Sequence, residues 1–290
     1  MIWVRLIKKR VFLVTAVLTI ALFSLYGCKN NTNNTVNKGN SAKIEITVFA
    51  AKSLNNVLDD IIKKYKENHE NVEFITNYDS SGTLMSQIEE GAVCDLFFSA
   101  AKKQMDMLEE EKLIVSDSRK DIVKNNVCVV TFKGSDTKVT GIYDLHLAKS
   151  LAIADGSVPV GKYTRQALVN IGIISETDDV SKISTQEISS ALNGVEINEC
   201  ANVGAVASSV AEGANEVGTV YYSDTFGYDD KLEIIEKVET DLTGNVIYPA
   251  AVIKNSEASD EQVKCTKEFL EYLTGDEAKK IFESYKFITD

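Results

Sequence analysis

From Lys43 onward the apolar positions change period repeatedly, and each change marks a new element. Ile44, Ile46 and Val48 alternate, which predicts a strand, and Leu54, Val57, Leu58, Ile61, Ile62 and Tyr65 then recur at helical spacing. NVEFITNYDSSGTLMS, residues 71–86, runs through the same sequence of elements again. The stretch 43–86 therefore reads strand, turn, helix, strand, turn, helix, with Ser53 and Ser81 at the mouths of the two helices. DLFFSA (95–100) adds a short third parallel strand, and Met105 and Leu108 begin another helix. NVCVVTF (126–132) is a β-branched run without a turn signal, and it marks the crossing into a second lobe.

The second lobe has its own strand–helix pairs. Leu151–Asp155 leads into SVPVGKYTRQALVNIG, and Val195–Asn198 leads into NVGAVASSVAEG. Pro159 and Gly161 suit a sharp turn that brings the Val160 N–H into the open. Asn202 is the expected N-cap of a helix that starts at Val203. VGTVYY (217–222) is a buried strand that places Tyr221 near its carboxyl end, while 175–193 is polar and reads as surface loop with one short helix. Residues 247–253, around Pro249, return to the first lobe, and helices over Asp260–Leu273 and Asp276–Ser284 close it. The prediction is an α/β chain of two lobes, each a mixed, mostly parallel sheet flanked by helices: 43–125 with 247–290, and 126–246. About 250 residues is more than one small core and suits two lobes of ordinary size.

Residues 1–27 fall outside that pattern. Arg5, Lys8, Lys9 and Arg10 precede an uncharged run from Val11 to Gly27, the layout of a secretory signal. A transmembrane anchor is the alternative, at the short limit of a span. Residues 28–42, with six asparagines after the cysteine, cannot bury enough apolar surface to order themselves and read as a tether. The folded part is thus expected outside the cytoplasm. Without the leader's four cations the formal charge falls from −12 to −16, which repels nucleic acid and anionic lipid, and no basic patch offsets it.

Beyond Cys28, Cys94, Cys128, Cys200 and Cys265 are widely spaced, with no metal-binding pattern and no histidine nearby. They are expected to be free, buried thiols, Cys200 being the most reactive. Neither His69 nor His146 sits at a strand end where a general base would serve, and Asp95 and Asp224 form no acid pair. No catalysis, cofactor or direct metal ligand is expected. The candidate chemistry lies at the strand ends instead. A lone serine before a helix is ordinarily a cap, and a tyrosine at a strand end ordinarily packs with its hydroxyl satisfied. Two such serines at the carboxyl ends of neighbouring parallel strands point further, to an anion site, because ligands of open α/β sheets bind there and helix N-termini attract anions.

Two resemblances follow from these residues. Leu25-Tyr26-Gly27-Cys28 resembles the lipobox of bacterial lipoproteins, which implies cleavage before Cys28 and a lipid on its sulfur. TVFAAKSL, SSGTLMSQIEEGAVCDLFFSA, VPVGKYTRQAL, GTVYYSD, YPAAVI and FLEYLTGDEAKKIFESYKF together resemble the molybdate-binding component of bacterial ABC importers, a branch of the type II periplasmic-binding-protein fold, from Lys43 to Ile288. That resemblance implies a monomer that grips a tetrahedral dianion between the lobes and hands it to a membrane permease. It also implies the donors: the hydroxyls of Ser53, Ser81 and Tyr221 and the backbone N–H groups of Val160 and Val203. The chain departs from the family's pattern at Lys52 and Val160, where alanine is common, at Asp79 before the serine pair, and at Lys286, where glycine is common.

Neutral donors suit a fully ionised oxyanion and leave a protonated one, such as phosphate at neutral pH, without an acceptor for its hydrogen. Molybdate and tungstate are nearly equal in size, whereas sulfate is smaller and would stretch the same bonds. Molybdate and tungstate are therefore expected to bind above sulfate. The competing readings are the same fold tuned to sulfate or a small carboxylate, and a scaffold lipoprotein with a blocked cleft. Arg165, the one arginine near a proposed turn, is expected to face solvent rather than form a carboxylate fork.

Overall fold

The computed structural model describes residues 43–289, which belong to one compact unit, Ser41–Asp290. The leader 1–27, Cys28 and the tether 28–42 lie outside the described residues. In chain order the first elements are β1 (Ile44–Ala51), α1 (Asn55–Lys66), β2 (Val72–Asp79), α2 (Ser81–Glu89), β3 (Leu96–Phe98), α3 (Lys102–Glu110) and β4 (Lys120–Asn125). Then come β5 (Val127–Phe132), β6 (Ser150–Ala154), α4 (Pro159–Asn170), α5 (Thr185–Ala191), β7 (Glu196–Cys200), α6 (Val203–Ala211), β8 (Val217–Tyr221) and β9 (Leu232–Lys237). The chain ends with α7 (Thr240–Thr243), β10 (Val246–Val252), α8 (Asp260–Leu273) and α9 (Asp276–Ser284).

These strands form two five-stranded sheets, ordered β2-β1-β3-β10-β4 and β7-β6-β8-β5-β9. In the first, β1 pairs parallel with β2 and β3, and β10 runs antiparallel between β3 and β4. In the second, β6 pairs parallel with β7 and β8, and β5 runs antiparallel between β8 and β9. The two sheets thus share one plan without sharing sequence. The central strands are buried on both faces, as parallel strands under helices must be: Ile46, Val48 and Ala50 of β1 and Leu151 to Ala154 of β6 are all inaccessible.

The chain passes from the first sheet to the second through Asn126 alone, between β4 and β5, and comes back over 238–245, which includes α7. Two strands, β4 and β9, have no counterpart in the periodicity reading. Both are edge strands, and both carry the charged residues that edges use against unwanted pairing, Lys120, Asp121 and Lys124 in one and Glu233, Glu236 and Lys237 in the other.

One expectation needs correction. Arg165 does not face solvent: only 1% of it is exposed. Its guanidinium donates to the carbonyls of Ile183 (2.9 Å), Ala154 (2.8 Å) and Gly161 (3.1 Å) and to Glu199 Oε1 (2.7 Å). The four cysteines after Cys28 are free and buried, and burial raises the thiol pKa of each, that of Cys200 with Glu199 beside it.

Candidate functional site

The end of β1 turns through a single 3-10 turn, Lys52–Leu54, before α1 begins, and Ser53 sits in that turn. Its hydroxyl caps nothing: the N-cap of α1 is Leu54, which makes no side-chain cap bond. Ser53 Oγ lies 3.0 Å from the hydroxyl of Tyr248 on β10. Tyr248 Oη in turn accepts from Asn125 Nδ2 (3.3 Å), which also donates to Ser223 Oγ (2.8 Å) across the crossing.

After β2 the cap of α2 is Ser80, whose Oγ accepts from Thr83 N at 3.1 Å. Ser81 is therefore released from capping. Its Oγ accepts from Ala100 N (2.9 Å), two residues past β3, which leaves its own hydrogen to donate. The ordinary explanation for a serine at a helix start thus fails for both candidates.

On the second sheet, Val160 follows Pro159 at the start of α4 and Val203 opens α6. First-turn amides have no acceptor within their own helix. Asn202 caps α6 as expected, accepting from Ala205 N at 3.0 Å, so the first amides are left for something else. Gly161 holds the start of α4 hard against β6, since a Cβ there would lie 2.2 Å from Asp155 O and 2.3 Å from Ala154 O.

Tyr221 ends β8, 1% exposed, and its hydroxyl has no hydrogen-bond partner among the described residues. The rings of Tyr248 and Tyr163 pack against it edge-on at 5.6 and 6.5 Å, but the Tyr248 hydroxyl is already engaged with Ser53 and Asn125. Burial pushes the Tyr221 phenol well above its ordinary range, so it stays a neutral donor. A buried hydroxyl without a partner costs about 1–3 kcal/mol, and such groups call for an explanation.

Ser53, Ser81, Val160, Val203 and Tyr221 all line one cavity of about 10 Å³ between the ends of the two sheets. Two charged residues line it as well, Lys52 and Asp79. Asp79 is partly spent on its neighbour, its Oδ1 accepting from Ser80 N at 2.7 Å. Among the described residues no cluster of three or more His, Cys, Asp or Glu could hold a metal ion, and no helix is long and apolar enough to cross a membrane.

The sequence profile of bacterial extracellular solute-binding proteins matches residues 46–288. The chain belongs to that family. Membership carries an extracytoplasmic location, a role in solute binding and the type II periplasmic-binding-protein fold. Among relatives, this solute-binding protein is 30% identical over 283 residues (97% of this chain, 99% of the other) to Bacillus subtilis (strain 168) YvgL, a lipoprotein assigned to ABC transporter substrate binding. It is 32% identical over 251 residues (84% and 88%) to the molybdate-binding protein ModA of Escherichia coli (strain K12). Among solved structures it resembles a Clostridium difficile substrate-binding domain assigned to a molybdenum ABC transporter, with 35% identity, TM-score 0.62 and coverage of 86% and 100%.

Behind the cavity of this solute-binding protein stand groups that its motifs did not single out. Arg165 pins the carbonyls of Ala154 and Gly161, which flank the Val160 turn, and so holds the start of α4 in place. Asp224 Oδ2 accepts from Tyr221 N at 3.0 Å and fixes the backbone that carries the phenol, while burial raises its carboxyl to about 7. The Asn125–Tyr248–Ser53 chain was equally invisible, because its members are 123 and 195 residues apart along the sequence. The one usable signal was for Arg165, the seventh residue of α4, whose helix neighbours Thr164, Ala167 and Leu168 are small or apolar.

Proposed function

We propose that the chain captures molybdate, and tungstate with it, between its two sheets and delivers the ion to an ABC permease. The observation that carries this reading is the unpartnered Tyr221 hydroxyl, buried in a cavity that it shares with Ser53, Ser81, Val160 and Val203. Three hydroxyls and two helix-start amides are donors, and what they lack is one compact acceptor with several oxygens. A tetrahedral oxyanion without a proton meets that need. The names of the E. coli and C. difficile proteins support molybdate as its identity.

In this reading residues 43–125 with 247–290 form one lobe and 126–246 the other, and they close by hinging at the crossings, so that both sets of donors act on one ion. The protein acts as a monomer without turnover. Its lipid on Cys28 holds it at the membrane, supported by the Leu25–Cys28 residues and by the lipoprotein name of the B. subtilis relative.

A thermal-shift screen of the full chain against molybdate, tungstate, sulfate, phosphate and arsenate tests the assignment. A ligand at 1,000 times its Kd adds about 4 kcal/mol of stability. Molybdate and tungstate are expected to give similar, large shifts, with sulfate below them and phosphate lowest. Sulfate matching molybdate would move the assignment to the sulfate reading, and no shift with any oxyanion would leave the scaffold reading.

A further inference from the structure

The oxyanion cavity is not lined by neutral groups alone. Lys52 is the residue before Ser53 in the same 3-10 turn, so its backbone belongs to the first sheet. Its side chain lies across the second: a Cβ on Gly204, the residue after Val203 in α6, would be 3.4 Å from Lys52 Cγ and 3.6 Å from Cε. The stem therefore runs over the helix start whose first amide is a proposed donor.

Lys52, Ser53 and Asn202 form the wall between the small cavity and a neighbouring crevice of about 280 Å³. The side chain is half-buried there, and its ammonium makes no ion pair or hydrogen bond among the described residues. Asp79, the other charged residue of the cavity, is the obvious partner, yet it bonds Ser80 N rather than Lys52. A chain with 43 acidic residues against 31 basic ones thus keeps an uncommitted cation beside its anion site. An ammonium is a compact charge on a flexible stem, able to turn three donors toward an acceptor nearby.

We propose that Lys52 is a specificity-determining residue of this site, its ammonium turning onto the bound oxyanion as a charged donor that selects dianions over monoanions and ties the ion to both sheets. This rests on the oxyanion reading above and adds what neutral donors cannot supply, discrimination by charge. Hydrogen-bond geometry alone hardly separates two tetrahedral ions of similar size, whereas a fixed cation favours the more highly charged one.

The test is calorimetric titration of the full chain, parent, Lys52→Ala and Lys52→Met, with molybdate and with perrhenate, a tetrahedral monoanion of similar size, at low and high salt. Lys52→Met keeps the stem's packing on Gly204 and removes only the charge. Both variants are expected to bind molybdate about tenfold more weakly, the worth of one charge-assisted bond, and perrhenate about threefold more weakly or less. The salt dependence of molybdate binding should flatten in both, since screening acts on the exposed part of that charge. Lys52→Met binding like the parent, or an equal loss for both anions, would overturn the proposal while leaving the oxyanion site standing. A parent chain that bound neither ion would bring down the oxyanion reading itself, and this one with it.

Discussion

A single hydroxyl separates the structural from the functional account of this site. Tyr221 packs well as a ring, edge-on to two other tyrosines, but its oxygen is unpaired and buried. If the oxygen served stability, removing it would destabilise the protein. The structure leads to the opposite expectation. Tyr221→Phe should leave the ligand-free chain as stable as the parent or more stable by about 1 kcal/mol, because an unsatisfied buried hydroxyl is lost. The same change should weaken molybdate binding about tenfold or more, because a donor is lost. Denaturant titration and calorimetry on one variant check both halves, and a destabilised variant with unchanged affinity would return Tyr221 to the core. The strand pattern placed this residue at the end of β8 but could not show that its hydroxyl is unpaired, since that depends on Tyr248, Ser53 and Asn125 having already paired with one another.

At the level of elements, the candidate donors stand at helix starts, and the seating of those helices sets where they point. The start of α4 is held from below by the missing Cβ of Gly161 and from the side by Arg165. Arg165→Met should cost roughly 3 kcal/mol, because buried carbonyls lose their donor, and molybdate affinity should fall with it as the Val160 amide moves. Chemical denaturation and titration would read the two effects, and a fully stable variant would show that the carbonyls find other donors. These elements were largely legible beforehand: the strands β1, β6 and β7 and the helices after them announce themselves by period and by caps such as Asn202. What stayed hidden had physical causes. The edge strands β4 and β9 carry charges in place of a two-residue alternation. Arg165 looked like a surface residue because its acceptors, the carbonyls of Ile183, Ala154 and Gly161, are contributed by backbone, which has no sequence signature.

Over the whole molecule, the two halves are joined by more than the crossings. Lys286, which follows α9, adopts φ +66°, a conformation that costs a non-glycine residue of order 1 kcal/mol and that glycine would adopt without that cost. Its ammonium reaches over to the loop after β8, to Thr225 Oγ1 (3.1 Å) and Asp229 Oδ1 (3.0 Å), which offsets that cost. Asp224, in the same segment, makes stability depend on pH. Its folded pKa of about 7 lies above the ordinary carboxylate value, so the folded state keeps a proton that the unfolded chain has released. Its contribution is thus fully favourable below about pH 4 and declines as pH rises toward 7. Asp224→Asn, which can still accept from Tyr221 N, should flatten that decline. Melting temperatures of parent and variant from pH 4 to 8 would show curves that diverge upward in pH; parallel curves would contradict the buried-acid account.

The hydrogen bond between the hydroxyls of Ser53 and Tyr248 has a directional consequence. Asn125 can only give a hydrogen to Tyr248, so Tyr248 is free to pass its own to Ser53, and Ser53 then has one left to point at a guest. Each polarised bond strengthens the next. Asn125 is also the last residue before the chain changes sheets and grips Ser223 on the far side. In the oxyanion reading, an anion at Ser53 would therefore pull on a one-way relay whose other end is fastened to the junction itself, and the protein would register occupancy at the place where its two sheets are joined.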